Sequence, residues 1–195
     1  EIKEILKSHP PVSLEEKQSI VFGEGSYFLW WELGIQRDCG PSWSSWFRSS
    51  FHEAKCTVPF VFHPDRGNEK LLNIKERVFL DNYVNSLGSR FLHNLDTPCV
   101  SITFTDNQYS FSYQGKQLYV DYQSSDEFKP WKSLDSMNSV YNKVLELPWA
   151  GTLGKEGSIL KTRDHIFDLE SLQARPISGN FMMEESILNT IGRKE

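Results

Sequence analysis

The stretch CVSITFTDNQYSFSYQGKQLYVDY, residues 99–122, decides how the chain is built. Val100, Ile102 and Phe104 alternate with Ser101, Thr103 and Thr105. Tyr109, Phe111 and Tyr113 alternate with Ser110 and Ser112, and Leu118, Val120 and Tyr122 alternate with Tyr119 and Asp121. An apolar residue at every second position turns one face of a pleated strand towards a core. Asp106-Asn107 and Gln114-Gly115 interrupt the pattern with residues that accept tight-turn geometry. The pattern predicts an antiparallel three-strand β-meander over about 99–122, with one apolar face that must be covered.

The segment just upstream is the simplest cover. Val78, Phe79, Tyr83, Val84, Leu87, Phe91 and Leu92 recur at helical spacing, which predicts an amphipathic helix over about 74–95 packed on the meander. Gly88 inside it costs about 1 kcal/mol relative to alanine. Further out, residues 1–8 read as a short helix, and Ser13-Leu14-Glu15-Glu16 reads as a capping box opening a helix to about Ile20. Tyr27–Leu33 suits a buried strand or a core helix equally. Pro41 followed by Trp43, Trp46, Phe47 and Phe51 predicts a helix with an aromatic face. Thr57–His63 reads as a strand, 134–147 as a helix stopped by Pro148, and 149–158 as a glycine-rich loop. Ser158–Thr162 and His165–Leu169 read as short strands, and Glu184–Ile191 as a terminal helix. Helices and strands without strict alternation predict one α+β domain over 1–195, excised from a longer chain or processed, since it begins at Glu1.

Composition narrows the function. The 195 residues are 38% hydrophobic and 24% charged, the mix of a globular domain. No apolar run approaches the roughly 18 residues of a membrane helix, so no membrane partner is expected. Net charge is −5 and both halves are alike, with 11 basic and 13 acidic residues in 1–97 and 10 and 13 in 98–195. Without a basic stripe, nucleic acid is disfavoured as a partner. Mild acidity would suit a basic partner. Cys39, Cys56 and Cys99 are odd in number and irregularly spaced, and no Asn-X-Ser/Thr acceptor occurs among ten asparagines. Both features point to an intracellular setting, cytoplasmic or nuclear. No metal site and no cofactor are expected: His52, His63, His93 and His165, four of the five histidines, lack a third ligand at recognisable spacing. The Pro64-Asp65 and Glu69-Lys70 groups fall in one short turn.

Two surfaces could carry function. Cys39 followed by Gly40-Pro41 would open the predicted aromatic helix, where free amides and the helix dipole lower a thiol's pKa. With Gln36 just before it, this stretch of about a dozen residues resembles the nucleophile region of papain-like and bacteriocin-processing cysteine peptidases. That resemblance implies Cys39 as nucleophile, Gln36 as oxyanion donor and His165 as base, oriented by Asp168 or Asn180. Gln36 stands closer to the cysteine than in that family. The plain alternative is a cysteine packed under an aromatic helix.

The other surface is aromatic. Trp131 and Trp149 stand in polar or glycine-rich surroundings, and Tyr119 falls on the polar face of the meander beside Asp121. Exposed Trp and Tyr are enriched at binding hot spots. The expected function is therefore a non-enzymatic protein-interaction domain (a subunit, adaptor or inhibitor) using Trp131, Trp149 and Tyr119. The cysteine hydrolase is its alternative.

Overall fold

The computed structural model describes residues 13–14, 29–40, 46, 48–62, 71–124, 127–133, 138–151, 162–163, 171, 173–175, 177–184 and 187. Within them the protein is mostly β, with two α-helices and antiparallel and mixed sheets. The elements in chain order are β1 (Ser13–Leu14), β2 (Trp30–Cys39), β3 (Ser49–Phe62), β4 (Leu71–Leu80), α1 (Tyr83–His93), β5 (Ile102–Phe104), β6 (Gln108–Tyr113) and β7 (Lys116–Ser124). There follow β8 (Lys129–Pro130), α2 (Asn138–Glu146), β9 (Trp149–Gly151), β10 (Thr162–Arg163), β11 (Gln173–Ala174) and β12 (Ile177–Met183).

The meander forms as its alternation demands. β5 pairs with β6 and β6 with β7, both antiparallel. Gln114 and Gly115 both adopt positive φ, 50° and 76°, the geometry of a two-residue hairpin turn whose twist matches its strands. Phe111 and Leu118 are buried on the inner face. The sheet gains a fourth strand from far along the chain, β12, antiparallel to β7.

The cover is different from the one expected. Residues 74–80 belong to strand β4, and only 83–93 is helical, so no helix over 74–95 exists to pack on the meander. Ile74 and Val78 stand four apart, a spacing that fits a helix and a strand alike. Long-range pairing decided between them: β4 lies antiparallel to β3 and parallel to β9. The meander is covered by this second sheet, in the order β1-β3-β4-β9-β10 with β2 beside β3. Ala54, Cys56 and Phe79 from the second sheet meet Tyr109, Phe111 and Leu118 from the meander, together with Val100 and Ile187. The Phe79 and Phe111 rings lie 4.4 Å apart. The buried Tyr109 hydroxyl donates to the Glu53 carbonyl at 2.6 Å, joining the two layers.

Other expectations change for the same reason. Ser13 and Leu14 pair with Phe62 and Val61 as strand β1 rather than opening a helix. Strand β2, Trp30–Cys39, settles the open choice in favour of a strand at positions 30–33. Phe51 lies inside the 14-residue β3, and Trp46 sits in a single 3-10 turn, so the predicted Trp43–Phe51 helix is absent at those positions. The Thr57–His63 strand is real through Phe62 and continues further upstream. α2 falls inside the predicted 134–147. The Asn73 side chain donates to the Val144 carbonyl at 2.7 Å, at the C-terminal end of α2. Trp149–Gly151 is a strand rather than the start of a loop. The helix at 1–8, the turn at 63–70 and the strand at His165–Leu169 lie outside the described residues, as does most of the terminal helix.

Candidate functional site

Cys39 ends strand β2, where a register shift between Gln36 and Cys39 brings it opposite Ser49. Cys39 and Gly40 are not helical, and residues 41–45, where the expected helix would begin, lie outside the described residues. Its Sγ approaches the Gln36 side-chain oxygen at 3.6 Å and the Arg37 carbonyl at 3.7 Å. Burial, then the Glu53 and Asp38 carboxylates, push the thiol above its ordinary value, against a weaker opposing pull from Lys55. This is the reverse of what a resting thiolate nucleophile needs. Gln36 is engaged as well, donating to the Glu53 carboxylate at 2.6 Å rather than waiting for an oxyanion. Asn180 donates to Asp121, within the chain's other sheet. His165 and Asp168 lie outside the described residues.

Glu53 belongs to a charged row on the face of β2, β3 and β4 that turns away from the meander. Lys55 bridges Glu32 at 2.6 Å and Glu53 at 2.7 Å. Burial works against the Lys55 charge, but the two carboxylates outweigh it and hold its pKa above the ordinary value. Lys75, nearly fully buried, lies 4.4 Å from the centre of the Trp149 ring. Burial and then the neighbouring Lys55 bring it down to about 8. On the other face of β4, Arg77 is 1% exposed and binds the Asp96 carboxylate at 2.7 Å. These are structural ion pairs that tie strands together. Among the described residues no group of three or more His, Cys, Asp or Glu side chains could hold a metal ion.

The predicted aromatic surface disperses. Trp149 is 7% exposed, enclosed by Lys75 and by the His93 ring at 5.6 Å. It is therefore a core residue and no part of a surface. Trp131 is half-buried, its indole N–H donating to Asn142 on α2 at 2.5 Å. Tyr119 does lie on the outer meander face, half-buried between Ser110 and Met182.

The exposed apolar residues gather instead on α1, a helix turned inside out. Val84 is 76% exposed and Phe91 77%, with Tyr83 and Leu92 also exposed beside the half-buried Leu87. The buried side is polar. Ser86 donates to the Thr97 carbonyl, Thr97 returns a bond to the Ser86 carbonyl at 2.8 Å, and Asn85 donates to Ser49 at 2.7 Å. Asn82 caps the first turn by accepting from the Asn85 amide, and Asn94 closes the last turn with positive φ. His52 anchors the entry, its Nδ1 2.6 Å from the Asp81 carboxylate. Reading the pattern as a core-facing stripe missed this. The signal was in the other face: Asn85, Ser86 and Ser89 are short hydrogen-bonding side chains, where a solvent face usually carries Lys and Glu.

No family model matches this chain, and no curated protein matches it either. None of the described helices is long and apolar enough to cross a membrane.

Proposed function

We propose that this chain is a non-enzymatic protein-interaction domain that docks by laying α1 into an apolar groove on a partner protein. The reversed burial of α1 carries this reading. Its inner face is committed to Thr97 and Ser49 by hydrogen bonds, so the helix cannot roll to hide Val84 and Phe91 without breaking them. Val84, Leu87 and Phe91 stand at i, i+3 and i+7, the anchor spacing of helix-in-groove recognition. The helix has no acidic residue in its first turn, and Arg90 and His93 lie in its last. Arg90 is about half exposed, so the fitting groove is rimmed by acidic side chains near that turn. The local charge is thus opposite to the net −5 of the chain. The cysteine hydrolase is left aside, because Gln36 and Cys39 are tied to one another and the thiol's surroundings hold it protonated.

The test places a photo-crosslinking phenylalanine analogue at position 91, with a control at Phe104, in extracts of the source cell. Position 91 should give one discrete adduct whose crosslinked peptide is apolar and flanked by Asp or Glu, and Val84→Asp should abolish it. Val84 is exposed, so the Asp variant should fold with stability within about 0.5 kcal/mol of the parent. An adduct that survives Val84→Asp, or that contains only this chain's own peptides, defeats the proposal.

A further inference from the structure

Strands β7 and β12 gather polar side chains on the face of the meander sheet that turns away from the core. Their register sets Asp121 opposite Asn180 and Gln123 opposite Ser178, two cross-strand pairs on one face. Leu118, Val120 and Tyr122, at the alternate positions of β7, pack inward. Asn107, in the turn between β5 and β6, joins the two pairs in lining a cavity of about 260 Å³. Hydrogen bonds hold its walls. The Tyr122 amide donates to the Asn107 carbonyl at 2.9 Å and the Tyr122 hydroxyl to the Thr105 carbonyl at 2.6 Å, so the turn is fastened to β7. The Thr105 hydroxyl donates to the Asn107 side-chain oxygen at 3.0 Å, which leaves the amide nitrogen as the donor end of that side chain. Asp121 accepts from the Asn180 amide at 3.0 Å on one carboxylate oxygen and from the Asn180 side chain at 3.3 Å on the other. Each oxygen has a second lone pair, so the carboxylate is fixed in place and still able to accept. Gln123 and Ser178 are exposed, and add an amide and a hydroxyl that both donate and accept.

We propose that this cavity binds one neutral sugar ring through its hydroxyl groups, either free or at the end of a glycan. The lining chemistry selects that class. Among the described residues no Lys, Arg or His lines the cavity, so an anion would meet the Asp121 charge with nothing there to offset it. Arg175 stacks on the Phe128 ring at 4.6 Å instead. The described lining has no aliphatic side chain, so an apolar ligand would gain little from burial. One carboxylate among uncharged amides falls short of the about six oxygens that a calcium ion takes. A sugar hydroxyl carries one donor and two lone pairs, so it can donate to Asp121 while accepting from Asn107 or Gln123. The bond to the carboxylate is charge-assisted, and its acceptor is already in position. The volume of about 260 Å³ equals that of about nine waters at roughly 30 Å³ each, room for one ring and not for a chain of them. A ligand of about twelve heavy atoms in such a site has a dissociation constant on the order of a few millimolar. No residue of α1 lines the cavity, so this site stands apart from the docking helix.

A backbone-amide NMR titration of the isotope-labelled full chain tests this, with D-glucose, D-galactose, D-mannose and N-acetyl-D-glucosamine as probes taken into the tens of millimolar. At least one sugar should move the Asp121, Gln123 and Asn180 signals along a saturable curve. Asp121→Asn keeps the shape and removes the charge, and should weaken that sugar at least about tenfold. Gln123→Ala should weaken it about threefold to tenfold. If Asp121→Asn disturbs β12 through Asn180, Gln123→Ala decides alone. An array of neutral glycans separates the two sources: retention by glycans ending in that sugar marks a terminal unit, and its absence beside a positive titration marks a free ring. No saturable movement at these residues with any of the four sugars overturns the inference. So does binding indifferent to Gln123→Ala, or tighter binding there of glucose 6-phosphate or putrescine, which would mean that the site reads charge.

Discussion

β4 and α1 are separated by two residues, Asp81 and Asn82, and they obey opposite rules. β4 is buried along nearly its entire length, including Lys75, Glu76 and Arg77. α1 exposes Val84, Phe91 and Leu92 and buries Ser86. A central strand has neighbours on both edges and layers on both faces, so charges caught in it survive only where other groups compensate them. A peripheral helix has one face against the body, and the residues there need only satisfy what they touch. In this molecule that is the polar backbone of 94–98 and Ser49, so small polar side chains win the inner face. The lesson is that residue type alone does not assign inside and outside. What the neighbouring layer offers decides.

The sharpest way to break that contrast is to strip the compensation from β4. Asp96→Ala leaves the buried Arg77 guanidinium without its carboxylate, and should lower unfolding stability by about 3–5 kcal/mol in urea titration. A loss below 1 kcal/mol would mean that Arg77 is not dependent on the pair.

Lys75 gives the next largest effect, and one with a pH signature. Its folded pKa of about 8 lies below the 10.5 of the unfolded chain. The unfolded state therefore binds more protons between those values, and stability rises with pH across that window. Below pH 8 the cost of burying the charge is present in full, amounting to about 3 kcal/mol. Lys75→Met should be more stable than the parent at pH 7, and its advantage should shrink as pH approaches 10.5. Lys55, Glu32 and Glu53 face Lys75, so the difference between the two proteins is the quantity to follow by thermal melts. A pH-independent difference would sink the idea.

The smallest effect sharpens the other side of the comparison. Gly88 sits on the exposed side of α1, and a Cβ there would meet nothing within 4 Å. Gly88→Ala should stabilise the protein by about 0.5–1 kcal/mol through helix propensity alone. A loss of stability would show that the outer face is covered after all.

Much of the meander was legible because its signals were local. Alternation over 100–122 and the Gln114-Gly115 turn need nothing from the rest of the chain. The candidate site was far less so. Cys39 looked activated because the aromatic spacing from Trp43 to Phe51 suggested a helix, whereas Cys39 itself ends β2 and Phe51 lies in β3, paired along its length with β2. Trp149 looked exposed because its neighbours in sequence are Pro148 and Gly151, while its neighbours in space are Lys75 and His93.

By itself, the sequence determined the pleat, turns and apolar face of 100–122 and the helix before Pro148. Tertiary structure alone decided that β4 is a strand, that a second sheet rather than a helix covers the meander, and that α1 shows its apolar side to solvent. The reason is range. Periodicity and turn geometry are set by bonds within a few residues, whereas the choice between strand and helix for Leu71–Leu80, and between inside and outside for Tyr83–His93, depends on surfaces supplied by residues tens of positions away.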